Sequence, residues 1–311
     1  MIRTQWIVEY SAFLFVITTS CAVSGAATAQ EVREPIGEEA YGVLKAFYDY
    51  DATIPLEARV VELNDEETSV RRKVVFRSVQ GFMVPGYLEL PKDGAAPYPC
   101  VLLMHGWSWS KDIWWETRDY NRGDIRGQLL KKGFAVLALD AQAHGDRIAE
   151  NDYHPVNLHN EPGEEPRKNH FTLREIVVQT VIDYRRGLDY LATRGDIDME
   201  RIGVIGYSMG GFGTFALTAV DPRIRVAVAC VAPTAWGHDV VLAPANYVRA
   251  IGDKPFCMLN GLNDEVCLAA PGRELYALLE GPNTELKFYD ADHTLPPKWV
   301  ADAVSFIAPR F

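Results

Sequence analysis

Positive charge is scarce in this chain. Lysine and arginine together number 31 against 42 aspartates and glutamates, for a formal net charge of −11. A surface of that sign argues against nucleic acid or an anionic membrane as partner, because both are recognised through basic residues. Cysteine is also sparse, with five in all. Cys100, Cys230 and Cys257 lie in or beside apolar runs, the setting of buried free thiols rather than of a disulfide framework. A Cys257–Cys267 bridge is chemically permitted but is not fixed by sequence. Internal repeats, low-complexity tracts and interdomain linkers are missing, which excludes solenoids and disordered scaffolds. The histidine-rich stretch His144, Asp146, His154, His159, His170 matches no zinc-ligand spacing, so no metal is expected there.

What is present fits one large globular domain: 311 residues, 48% hydrophobic and 23% charged. The first residues differ from the rest. Arg3 gives a sparse positive start, Ala12 to Ile17 form an apolar run, and Ala27-Thr28-Ala29 precede Gln30 as a small-residue cleavage pattern. The run is broken by Thr18, Thr19 and Ser20 and falls short of the ~20 residues of a membrane span. Residues 1–29 are therefore expected to be a cleaved signal peptide, and the protein to be exported, periplasmic or secreted. Removal takes away Arg3 and Glu9 together and leaves the net charge unchanged. Residues 30–311 are expected to form a single domain, with an opening helix and antiparallel strands over 36–91 and a catalytic core over 92–311.

The pattern after Pro91 supports that core. Short apolar runs at Cys100–Met104, Phe134–Leu139, Ile202–Ile205, Val226–Val231, Phe256–Leu259 and Leu286–Tyr289 read as strands buried on both faces. Helical stretches lie between them, among them the stripe Val177, Val181, Tyr184, Leu188, Leu191. Strand then helix, repeated, predicts a mostly parallel α/β sheet with helices on both faces. Arg147 to Phe171 and Ala232 to Asp253 break the alternation and read as loop insertions over one end of the sheet.

Gly206-Tyr207-Ser208-Met209-Gly210-Gly211 follows one such strand and opens a helix, the context in which G-x-S-x-G forms a nucleophile elbow. Glycine is needed on both sides because a Cβ there would clash as strand and helix approach. A serine hydroxyl needs a base, and the base needs a carboxylate to fix its tautomer. In folds with this elbow the partners follow in the order serine, acid, histidine. His238 and His293 are the histidines past Ser208; His293 follows the last strand-like run and is the expected base. Asp264 ends an apolar strand running into a glycine turn and is the expected acid, ahead of Glu265 and Asp292. The oxyanion hole is expected from the backbone N–H of Met209 and of Trp107, in the turn after Cys100–Met104, with His105 holding that turn. Trp107, Trp109, Trp114 and Trp115 serve either in packing or as pocket walls; Tyr207, Trp109 and Trp236 are the candidates for substrate contact.

The His105-Gly106 turn, Asp140 to Asp146, Gly206 to Gly211, Gly261 to Asp264, and His293 together resemble the dienelactone-hydrolase and acetyl-xylan-esterase branch of the α/β-hydrolases. The resemblance runs from about Arg71 to the C-terminus. It implies an α/β-hydrolase fold with short loop insertions over the site and a serine carboxylesterase acting on small or short-chain esters, acetyl esters of sugars included. It implies no metal and no organic cofactor. Dienelactone hydrolases proper use cysteine where this chain has Ser208, which favours ester over lactone cleavage. The Gly210-Gly211 pair also resembles prolyl oligopeptidases, so a peptidase is the first rival and a non-catalytic binding protein the second.

Overall fold

The computed structural model describes residues 32, 34–116, 123–151, 171–234, 241–279 and 281–311. The chain opens with helix α1 (Glu38–Ala46) and an antiparallel meander, β1 (Arg59–Asp65), β2 (Ser69–Arg77) and β3 (Met83–Pro91). The turn from β2 to β3 passes through Gln80 and Gly81, which take positive φ, 56° and 80°. There follow β4 (Tyr98–Met104), α2 (Ile125–Lys131), β5 (Ala135–Leu139), the short α3 (Arg147–Glu150), α4 (Leu173–Ala192) and β6 (Ile197–Tyr207). The remainder is α5 (Met209–Val220), β7 (Ile224–Cys230), the short α6 (Val248–Ile251), β8 (Phe256–Gly261), α7 (Ala269–Leu279), β9 (Thr284–Tyr289) and α8 (Lys298–Ile307).

The nine strands among the described residues join one sheet in the order β1-β2-β3-β5-β4-β6-β7-β8-β9. From β5 to β9 the pairs are parallel, and β3 joins β5 antiparallel. The two-residue side-chain period splits each central strand between two cores. In β4, Leu102 and Met104 enter one cluster with Val181, Leu188 and Phe215 of α4 and α5. Val101 and Leu103 enter the other with Leu129 of α2 and Trp299 and Ile307 of α8. Each fully buried aliphatic side chain contributes about 1.5–3 kcal/mol, so a strand apolar on both faces is stable only inside such a sandwich. The chain leaves β4 for β5 on one side and returns to β6 on the other. That reversal opens a crevice at the carboxyl ends of β4 and β6, where open α/β sheets place their ligands.

Two elements depart from the sequence reading. Strand β1 was not anticipated, because every residue in it is exposed and no buried face imprints a pattern. The Ala232–Asp253 stretch is not simply an insertion over the sheet: its second half carries α6 and enters the core, with Tyr247 buried and its hydroxyl 2.5 Å from that of Tyr48. Helix α4 begins on a capping box, Glu175 N–H donating to the Thr172 hydroxyl while Thr172 N–H donates back to the Glu175 carboxylate. Cys100, Cys230, Cys257 and Cys267 are all free and buried, so Cys257 and Cys267 are not bridged. Among the described residues no helix is long and apolar enough to cross a membrane.

Candidate active site

Ser208 stands between β6 and α5 with φ 55° and ψ −116°, a conformation that costs a non-glycine residue about 1–3 kcal/mol. Its N–H donates to the Cys230 carbonyl at the end of β7. The glycines that flank it are required by contact. A Cβ on Gly206 would collide with the Gly210 carbonyl and the Thr214 hydroxyl, and one on Gly210 would meet the Met104 carbonyl of β4. The turn thus forces the serine side chain up from the sheet and brings the start of α5 down onto it.

The loops after β8 and β9 deliver the other two groups. Ser208 Oγ lies 2.9 Å from His293 Nε2, and His293 Nδ1 lies 2.8 Å from Asp264 Oδ2. With the proton on Nδ1, the ring donates to the carboxylate and accepts from the hydroxyl. Asp264 is 3% exposed, and its second oxygen accepts the N–H groups of Val266 and Cys267, both at 2.8 Å. Those bonds fix the carboxylate's rotation. The His293 side chain is 31% exposed and so reaches solvent. The three residues expected to act together therefore do form one hydrogen-bonded row. Cys267 places its sulfur close by, with potential ligand atoms of Asp264, Cys267 and His293 all within 4.8 Å of one another. The Asp264 and His293 atoms are already joined to each other, and the thiol donates to the Val231 carbonyl at 2.9 Å. Burial and the Asp264 carboxylate push that thiol well up from its ordinary range.

The turn after β4 faces the serine from the other side, with Gly106 packed against the Ser208 Cβ and the Tyr207 carbonyl. Two imidazoles hold it. His105 donates from Nδ1 to the Gly106 carbonyl at 2.8 Å and accepts at Nε2 from Ala141 N–H at 3.0 Å. His144 donates from Nδ1 to the Gln142 carbonyl and accepts at Nε2 from Ser108 N–H at 3.3 Å. Each ring thus ties the turn after β4 to the turn after β5. Burial lowers both pKa values, that of His105 to about 3, so both rings are neutral. Below them Lys111, wholly buried, donates to Asp140 and Asp146, both at 2.9 Å. Asp140 also accepts the N–H groups of Lys111 and Asp146, and Lys73 reaches Asp146 at 2.8 Å. The facing carboxylates outweigh desolvation and raise the Lys111 pKa. His105 was expected to support this turn; the parts played by His144 and Lys111 were missed, since a lysine six residues beyond the turn gives no sequence sign of burial.

The aromatic candidates separate. Trp107 is half-buried, its ring edge-on to His144 at 5.3 Å, beside an apolar cluster of Ala141, Leu173, Ile176, Val177, Met209, Phe212 and Leu242. Trp109 is half-buried beside Gly106. Trp114 is wholly buried in the core, and Trp115 donates to the buried Glu89 at 2.5 Å, so both serve packing. Tyr207 is no pocket wall: it is 1% exposed, its ring packs on Trp299, and its hydroxyl donates to the His293 carbonyl. Trp236 and His238 lie outside the described residues, as do His154, His159 and His170.

Comparison with known proteins gives a consistent setting. The sequence model of the alpha/beta hydrolase family matches residues 101–309. A hydrolase-named protein of Bacillus subtilis (strain 168), YtaP, is 26% identical over 202 residues, which are 63% of this chain and 63% of its own length. In solved structures, acetyl xylan esterase 1 from Thermoanaerobacterium sp. JW/SL YS485 superposes with a TM-score of 0.66 at 17% identity, over 90% of this chain and 96% of that one. An acetyl xylan esterase from Paenibacillus sp. R4 superposes with a TM-score of 0.64 at 20% identity, over 91% and 98%. At those identities the structural likeness establishes the fold.

Proposed function

The chain belongs to the alpha/beta hydrolase family, and from that premise we propose that it is a serine carboxylesterase of short-chain esters, acetyl esters of carbohydrates among them. The observation that carries the reading is the continuous row from Ser208 through His293 to Asp264, headed by a serine held at positive φ. Ser208 attacks the ester carbonyl while His293 takes its proton; Asp264 holds the ring in the Nδ1–H tautomer and stabilises the imidazolium. The Met209 N–H at the start of α5 and the Trp107 N–H in the facing turn receive the oxyanion, each worth about 3–4 kcal/mol in the transition state. His293 then protonates the leaving alcohol, and water repeats the sequence on the acyl-enzyme. The acetyl xylan esterases that share the fold over nine-tenths of this chain support the choice of ester. Half-buried Trp107 and Trp109, next to the serine, are the proposed substrate walls. Residues 1–29 are proposed as the export leader.

Hydrolysis of p-nitrophenyl acetate, butyrate and octanoate by wild type and by Ser208→Ala tests this. The wild type is expected to prefer the short esters and the variant to lose on the order of a millionfold in kcat. Undiminished turnover in Ser208→Ala would refute the serine mechanism. In the same exported preparation, an intact mass beginning at Gln30 checks the leader.

A further inference from the structure

The base sits on a loop, yet its ring must meet two partners at once, Asp264 at 2.8 Å and Ser208 at 2.9 Å. Something must therefore fix the backbone of His293 to within a few tenths of an ångström. On the N-terminal side the loop after β8 does so: Leu262 N–H donates to the Tyr289 carbonyl at 2.8 Å, Asn263 N–H to the Ala291 carbonyl at 2.9 Å, and the Asn263 side chain to Asp290 at 2.9 Å. Gly261 lies so close beneath that a Cβ there would strike the Asp292 carbonyl. These bonds end at Ala291. On the C-terminal side Thr294 N–H turns back onto the Asp292 carboxylate at 2.7 Å, and a side chain from outside the loop, that of the residue preceding the nucleophile, bonds to it as well.

We propose that Tyr207 is a positioning residue for the base, its hydroxyl clamping the His293 peptide to the strand that carries Ser208. The hydroxyl donates to the His293 carbonyl at 2.9 Å and accepts from Leu295 N–H at 2.9 Å, so it spans the residue on each side of Thr294. The ring has no freedom to follow a moving loop. It is 1% exposed, edge-on to Trp299 at 5.7 Å and to the His293 ring at 6.2 Å. Because Tyr207 and Ser208 are consecutive, any shift of β6 carries nucleophile and base loop together. Deleting the oxygen leaves a carbonyl and an N–H without that partner beside the base, and the loop is free to drift. A misplacement of about 1 Å in a catalytic group costs on the order of a hundredfold in rate.

This inference rests on the esterase reading, and Tyr207→Phe tests it, keeping the ring and removing the oxygen. With p-nitrophenyl acetate, kcat is expected to fall about 10- to 100-fold with KM changed by no more than about twofold. The downfield Nδ1–H proton resonance of His293 is expected to broaden or vanish. Val300→Ala, which removes buried methyl groups from α8 but no hydrogen bond, is the stability control and is expected to keep kcat. A Tyr207→Phe protein that melts earlier but retains wild-type kcat and the His293 resonance overturns the clamp. Should that variant fail to fold, hydrogen exchange at the Leu295 amide of the wild-type protein decides: slow exchange supports the bond to the buried oxygen, and exchange as fast as an open loop refutes it. If wild type cleaves no ester, the functional reading fails by itself, and the His293 resonance and Leu295 exchange still judge the clamp.

Discussion

The two sides of the crevice are built by different physics. On the side of β6, β8 and β9, three side chains meet in a short hydrogen-bonded row whose central member, His293, reaches solvent, and the backbone around the base is held by bonds between the loops after β8 and β9 and by the Tyr207 hydroxyl. On the side of β4 and β5, Gly106 packs against the serine, and behind its turn lie the side chains of His105, His144, Lys111, Asp140 and Asp146, all but Asp146 buried. One side presents chemistry directly; the other presents a shape and buries the polar groups that maintain it. Substitutions on the first side should therefore cost rate, and on the second side stability.

The sharpest test of the first half is Asp264→Asn. The amide keeps the volume but no longer holds the Nδ1–H tautomer, so kcat is expected to fall by about 10⁴ while the urea midpoint moves little; near-normal turnover would remove Asp264 from the mechanism. On the other side, Lys111→Met leaves Asp140 buried without its cation. Breaking such a pair costs about 3–5 kcal/mol, to be read from equilibrium unfolding. A variant as stable as wild type would show that the two turns are held together by something else.

Smaller still is the effect of acid. Burial depresses the His105 pKa to about 3, and lowers that of His144, against about 6.5 for an exposed imidazole. Between pH ~6.5 and ~3 the unfolded chain carries a proton on His105 that the native chain does not. The stability the neutral His105 ring provides is complete above pH ~6.5 and is lost as pH falls toward ~3, by up to ~1.4 kcal/mol per pH unit, and that of His144 is lost in the same direction. Melting temperatures from pH 7 to 4.5 should fall less steeply in His105→Asn than in wild type; parallel slopes would place the acid sensitivity elsewhere.

The contrast also marks what could be read from the chain. Ser208 was legible because the glycines at 206 and 210 are demanded by contacts within a few residues and across one strand, and such local demands leave a spacing in sequence. The Asp264 and His293 positions followed from their places at the ends of apolar runs. Tyr207 was misread as a pocket wall, since nothing in Gly206-Tyr207-Ser208 tells that the loop after β9 folds back onto its hydroxyl. Strand β1, which buries no face, and Tyr247, a core residue in a stretch without periodicity, were illegible for the complementary reasons.

By itself the sequence determined the alternation of strand and helix, the double-faced burial of the central strands, and the elbow, because each is imposed by sterics or apolar burial over a few neighbouring residues. Tertiary structure alone decided which polar residues would be buried together. Lys111 with Asp140, His144 with Ser108, and Tyr207 with the loop of His293 are joined across 29, 36 and 86 positions of the chain. The partner in such a bond is selected by how the whole sheet closes, and neither Lys111 nor Tyr207 stands in a sequence pattern that tells which residue it will meet.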